Sequence, residues 1–155
     1  MNKKNGFTLV ELLAVIAILA ILVIIALPNV LKMFNESKQN SFMTEVRDIY
    51  KQAQTQFIAD SMTTPGAKTY MSMAKDGKTC TDSSSKAVPA LELQGRALNY
   101  IVELNAAGDV TNISVNDGSF FYEPTTVPDD ASKIISNDIK TSGSGVTAPT
   151  GIACN

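Results

Sequence analysis

The stretch from Phe7 to Leu27 constrains this chain more than any other. Its 21 residues carry two polar side chains, Thr8 and Glu11, and Leu12 to Leu27 has none. As a helix the stretch is ~31 Å long, the thickness of the hydrocarbon core of a bilayer. Lys3 and Lys4 precede it, and the next basic residue is Lys32. Positive charge on one side alone predicts that the first residues stay in the cytoplasm and the remainder lies outside. A conventional secretory signal fits less well. Such a signal has an apolar region of about 7–15 residues and small residues before its far-end cleavage point. Here Ala26 has Ile24 two places before it and Pro28 two places after. A plain membrane anchor leaves Glu11 without a reason.

A carboxylate in a spanning helix costs roughly 2.5 to 3.5 kcal/mol at the centre and less near the interface, so it calls for a partner. No Lys, Arg or His occurs between Phe7 and Val30. The cation that can arise at that depth is a new α-amino group, made by cutting the chain before Phe7. The same cut removes Lys3 and Lys4, which otherwise hold the segment at the cytoplasmic face.

Gly6-Phe7-Thr8-Leu9-Val10-Glu11-Leu12-Leu13, after a short basic leader, resembles the processing site of type IV pilins and pseudopilins. The resemblance implies that prepilin peptidase cuts after Gly6 and methylates the amine of Phe7. It also implies that Glu11 guides assembly by pairing with the terminal amine of a neighbouring subunit. Pro28 matches a proline often found where the first helix of that family kinks or loosens. The implied partners are further copies of the chain in a helical filament, the peptidase, the pilus assembly machinery, and the membrane before assembly. The implied locations are the cytoplasmic (inner) membrane, spanned once with the head outside, and then an extracellular pilus. The resemblance is close over residues 1 to about 60 and only an outline beyond.

After Pro28 the pattern turns amphipathic. Leu31, Phe34, Phe42, Val46, Ile49, Ala53 and Phe57 recur at spacings of three and four, with a gap at Lys38. Lys32, Asn35, Gln39, Asp48, Lys51 and Gln52 lie opposite, and Glu45, Asp48 and Lys51 are spaced for weak surface pairs along the helix. One helix is therefore expected from residue 7 to about 62, bent or locally melted near Ile24 to Pro28 because proline removes a donor and crowds the preceding turn. Pro65-Gly66 ends it. Strands are expected at Leu98–Leu104, Val110–Val115 and Ser119–Glu123, a meander around the turns at Asn105–Asp109 and Asn116-Asp117-Gly118. Ala67–Val88 reads as loop, Ala131–Ile139 as a short helix, and Thr141–Asn155 as a floppy tail unless Cys154 holds it. The fold class is α+β, a long N-terminal helix packed on a small antiparallel sheet, the pilin fold. The expected divisions are a leader at 1–6, an apolar helix at 7–28, its amphipathic continuation at 29–64, and a head at 65–155.

Cys80 and Cys154 follow an export signal, the setting in which paired cysteines form disulfides, with two free buried thiols as the alternative. Pilins often carry a C-terminal disulfide around a much shorter loop, so the role of that loop does not transfer. With no histidine, neither a Ser-His-Asp triad nor a histidine metal site can be built. No glycine-rich phosphate loop occurs. Net charge is −2 with no concentrated basic patch, so nothing points to nucleic acid. Asp129, Asp130 and Asp138 read as a solvated loop with a helix cap rather than a calcium site. The expectation is a structural protomer of a type IV pilus, not an enzyme, with no cofactor and no metal. The alternatives are a pseudopilin of a DNA-uptake or type II secretion system, and an anchored or secreted binding protein.

Overall fold

The computed structural model describes residues 8–155. Gly6 and Phe7 lie outside them (Phe7 by one residue). The chain divides into two compact units, Met1–Lys38 and Gln39–Asn155. Helix α1, Leu9–Ser61, runs through both, and its helical assignment is unbroken across Pro28. Local melting between Ile24 and Pro28 is therefore not a feature of this chain by itself. Proline leaves the carbonyl four residues earlier without its donor, a loss that the surrounding turns tolerate.

In the first unit every residue from Thr8 to Lys38 is exposed. That corrects one expectation: Leu31 and Phe34 do not belong to the buried face of α1. Asn35 to Ser41 is a run of seven polar residues, two full turns without an apolar side chain, so the stripe that faces the head starts only at Phe42. From there Phe42, Val46, Ile49, Tyr50, Ala53 and Phe57 are buried.

In the second unit a five-stranded antiparallel sheet has the order β1-β3-β4-β5-β6, formed by Lys68–Met73, Asn99–Leu104, Val110–Asn116, Phe121–Tyr122 and Ile139–Lys140. Cys80–Asp82 (β2) and Ile152–Cys154 (β7) make a separate two-stranded sheet. The expected meander is present as β3, β4 and β5. One face of the sheet offers Tyr70, Tyr100, Val102, Leu104, Ile113, Val115 and Tyr122 to the buried stripe of α1. A fully buried apolar side chain of this size contributes about 1.5–3 kcal/mol, so this layer supplies most of the head's stability.

The other face is covered as well. Met71, Met73 and Ile101 are buried there beneath Val88, Val146, Ala148, Ile152 and the two cysteines. β1 consequently shows no alternation of apolar and polar residues, which is why Lys68–Met73 reads as loop in the sequence: a strand buried on both sides loses its period of two. Residues 141–155 form a strap across this face. A Cβ on Gly143 would lie 2.9 Å from Cβ of Phe121, and one on Gly145 would lie 3.3 Å from Asn116 Nδ2. Glycine in the tail thus permits close approach of the strap to the sheet, which corrects its reading as slack. The expected helix at Ala131–Ile139 is instead two single 3₁₀ turns, Ala131–Lys133 and Ser136–Asp138. Asp130 accepts from Ser132 N at 2.7 Å and Asp138 from Ile135 N at 3.0 Å, so these acids cap the turns.

Candidate functional site

The candidate assembly segment begins with the first turn of α1. Thr8 precedes the helix and Glu11 is its third residue, the spacing at which two side chains satisfy each other's backbone donors. Glu11 Oε2 accepts from Thr8 N at 2.9 Å and from Thr8 Oγ1 at 2.7 Å, while Glu11 N donates to Thr8 Oγ1 at 3.3 Å. The Thr8-x-x-Glu11 spacing is the sequence signal for this box, and Thr8 is a residue that sequence reasoning passed over. Glu11 Oε1 has no hydrogen-bond partner, and Glu11 no cationic partner, among the described residues. The carboxylate is held at the helix N-terminus, where the partial positive charge of the backbone favours it, with one oxygen free to meet a cation. Pro28 lies within the same helix. The helix contains a stretch long and apolar enough to cross a membrane, none of it buried by the chain itself.

Within the head, both arginines of the chain fasten α1. Arg47 donates through Nε to Ile134 O at 2.9 Å and through Nη2 to the same carbonyl, with a longer bond to Ser132 O. Arg96, in the loop before β3, forks onto Glu45 with contacts of 2.8–3.1 Å and reaches Asp117 Oδ2 at 2.7 Å. Those contacts, the hydrogen bond to Glu45 first, raise the pKa of the Arg96 guanidinium. Asp117 is nearly enclosed and also accepts from Ser119 N and Phe120 N at 2.7 Å each. The expected helix pairs among Glu45, Asp48 and Lys51 do not form, because Glu45 turns to Arg96, whose planar fork matches a carboxylate. Gln39, expected on the solvent face, donates instead to Ser136 O at 2.6 Å and Ile139 O at 3.4 Å. The third fastening is covalent. Cys80 and Cys154 stand opposite each other in the β2–β7 pair and form a disulfide across a sequence separation of 74.

Four tyrosines complete the head, all buried. Burial is the main cause that raises each of their pKa values, Tyr122 to about 12. Tyr50 and Tyr70 use their hydroxyls to tie α1 down, donating to Pro128 O at 2.8 Å and to Asp60 Oδ2 at 2.9 Å.

Residues 1–27 match the family model described as the prokaryotic N-terminal methylation motif, the signal segment of type IV pilins and pseudopilins. Behind that motif the described residues place a long helix and an antiparallel sheet, an α+β arrangement similar to that of type IV pilin-like and pseudopilin proteins. The motif implies processing by prepilin peptidase and assembly into pilus-like filaments, and it accords with membrane anchoring before extracellular assembly. No curated protein and no solved structure matches the chain.

Proposed function

We propose that the protein is the structural, non-catalytic protomer of a type IV pilus. The observation that carries this reading is a fully exposed apolar N-terminal segment of α1 whose first turn holds one carboxylate, on a chain bearing the methylation motif. Cleavage after Gly6 leaves Phe7 as a methylated ammonium. Thr8 keeps its amide when that bond is cut, so the Thr8–Glu11 box survives and Glu11 Oε1 remains available to a neighbour's ammonium. A charge-assisted contact of this kind is about twice as strong as a neutral one and sets the register of the incoming subunit. The apolar helices move from lipid into a bundle of similar polarity, so close packing rather than hydrophobic transfer drives association, with the alanines at 14, 17, 20 and 26 allowing close approach. The covalently fastened strap supports the pilus reading over the pseudopilin one, since the heads of a pilus form its exposed surface.

Mass spectrometry of the mature protein tests the processing step: Phe7 is expected as an N-methylated terminus, and an intact leader in functional protein ends the model. Glu11→Ala is expected to leave processing intact and to abolish filaments, and unchanged filaments would refute the pairing. Electron microscopy with labelled heads decides between the two filament types. Long surface fibres support the pilus, and short filaments confined to a secretion or DNA-uptake apparatus return the pseudopilin.

A further inference from the structure

Two polar atoms beneath the strap are buried with no hydrogen-bond partner among the described residues, Asn99 Oδ1 and Ser114 Oγ. Buried polar atoms in native proteins are nearly always bonded, to protein or to ordered water, so a pair of exceptions side by side calls for an explanation. They are neighbours. Asn99 on β3 stands opposite Asn116 on β4, and Ser114 stands opposite Ile101, so Asn99 and Ser114 are diagonal on one face of the sheet. Met73 flanks Asn99 across β1, and Ile101 is buried on the same face, which places both atoms under the strap rather than toward α1.

An amide flip does not solve the problem. Asn99 Nδ2 donates to Asp76 Oδ2 at 2.7 Å, and a carboxylate oxygen accepts there, so the amide nitrogen is committed to Asp76 and Oδ1 must face elsewhere. Asn99 is only 3% exposed, so bulk solvent does not serve it. The strap supplies further polar groups. The main chain of Gly145 to Ala148 makes no hydrogen bond among the described residues, while Val146 and Ala148 pack on the apolar cluster beside the two atoms. Diagonal neighbours stand about 7–8 Å apart at the backbone, a separation that one water bridges where two short side chains do not meet.

We infer that one structural water binds between the outer face of the sheet and the strap, donating to Asn99 Oδ1 and bonded to Ser114 Oγ, with its remaining bond to the main chain of residues 145–148. The ligand is a neutral molecule with both donors and acceptors. Asn99 Oδ1 offers an acceptor alone, Ser114 offers either, and two to four polar partners are what a buried water requires. The water ties the strap to β3 and β4 between the Gly143–Phe121 contact and the Cys80–Cys154 bond.

A crystal structure of the processed full chain in detergent tests this. Density for a water within about 2.7–3.2 Å of both oxygens is expected. Direct bonding of the two side chains to each other or to the strap, or a dry site, overturns the inference. In solution, magnetisation transfer from a long-lived water to the Asn99 side-chain amide is expected in the parent chain and is expected to vanish in Ser114→Ala. Its absence in the parent, or unchanged intensity in the folded variant, overturns the proposal equally.

Discussion

Replacing Cys154 by serine removes the covalent end of the strap while leaving its apolar contacts in place. The bond spans a sequence separation of 74, and β3, β4, β5 and β6 all lie inside the loop it closes. In the chain-entropy description the unfolded chain regains about 15 cal/mol/K when a loop of that length opens, which is about 4.5 kcal/mol at 25 °C. A domain of this size is stable by about 5–15 kcal/mol, so the loss is roughly 30% of the total or more. The strap has little else to replace the bond. Its strand contribution is the three-residue β7, and Thr79 and Asn155 exchange two main-chain bonds of 2.9 and 3.0 Å at its end. The assay is urea denaturation of the detergent-solubilised parent, of Cys154→Ser and of Cys80→Ser/Cys154→Ser, with and without reductant. The variants are expected to lose about 3–5 kcal/mol, with a midpoint shift on heating on the order of 20 °C. Reductant is expected to destabilise the parent to the same degree and to leave the double variant unchanged. A loss below about 1 kcal/mol, far under the loop-closure figure, would refute the claim that this bond organises the head.

Two further perturbations address the other fastenings. Arg96→Ala leaves the enclosed Asp117 carboxylate without its cation and frees Glu45; since Arg96 is itself half exposed, the expected cost is about 1–2 kcal/mol in urea denaturation, with Arg96→Lys restoring only part because an ammonium lacks the fork. Equal stability of parent and Arg96→Ala contradicts the clamp. The four tyrosines predict the alkaline limit. Their folded pKa values are raised above about 10, the value of the unfolded chain, so their stabilising effect is complete below pH ~10 and falls away as pH rises toward the Tyr122 value of about 12. Ultraviolet titration is expected to show no tyrosine ionising at pH ~10 in the folded chain and unfolding to accompany ionisation above it; a reversible step of one tyrosine near pH ~10 without unfolding contradicts their burial.

What the sequence determines by itself is concentrated at the N-terminus. An unbroken apolar run needs no tertiary context to declare itself, because its length alone matches a bilayer, and Glu11 is conspicuous because no other charge shares the run. The octapeptide from Gly6 to Leu13 is equally local, as are the turn residues that delimit β3, β4 and β5. The start of the buried stripe was less legible. Leu31 and Phe34 have the right spacing, but the seven polar residues after them break the stripe, and burial requires a surface to face, which the head offers only from Phe42. Tertiary structure alone decided the rest. Residues 68–73 became a strand because both their faces are covered, a condition that erases the alternation by which strands are recognised. The Gly/Ser tail became a strap because Phe121 and Asn116 lie under it at distances that leave no room for a Cβ at Gly143 and crowd one at Gly145. Arg47 and Arg96 became clamps because carbonyls and carboxylates distant in sequence, Ile134 87 residues from Arg47 and Glu45 51 residues from Arg96 among them, arrive within reach of their guanidinium groups. Such partners are set by how the layers stack, and no window of local sequence contains them.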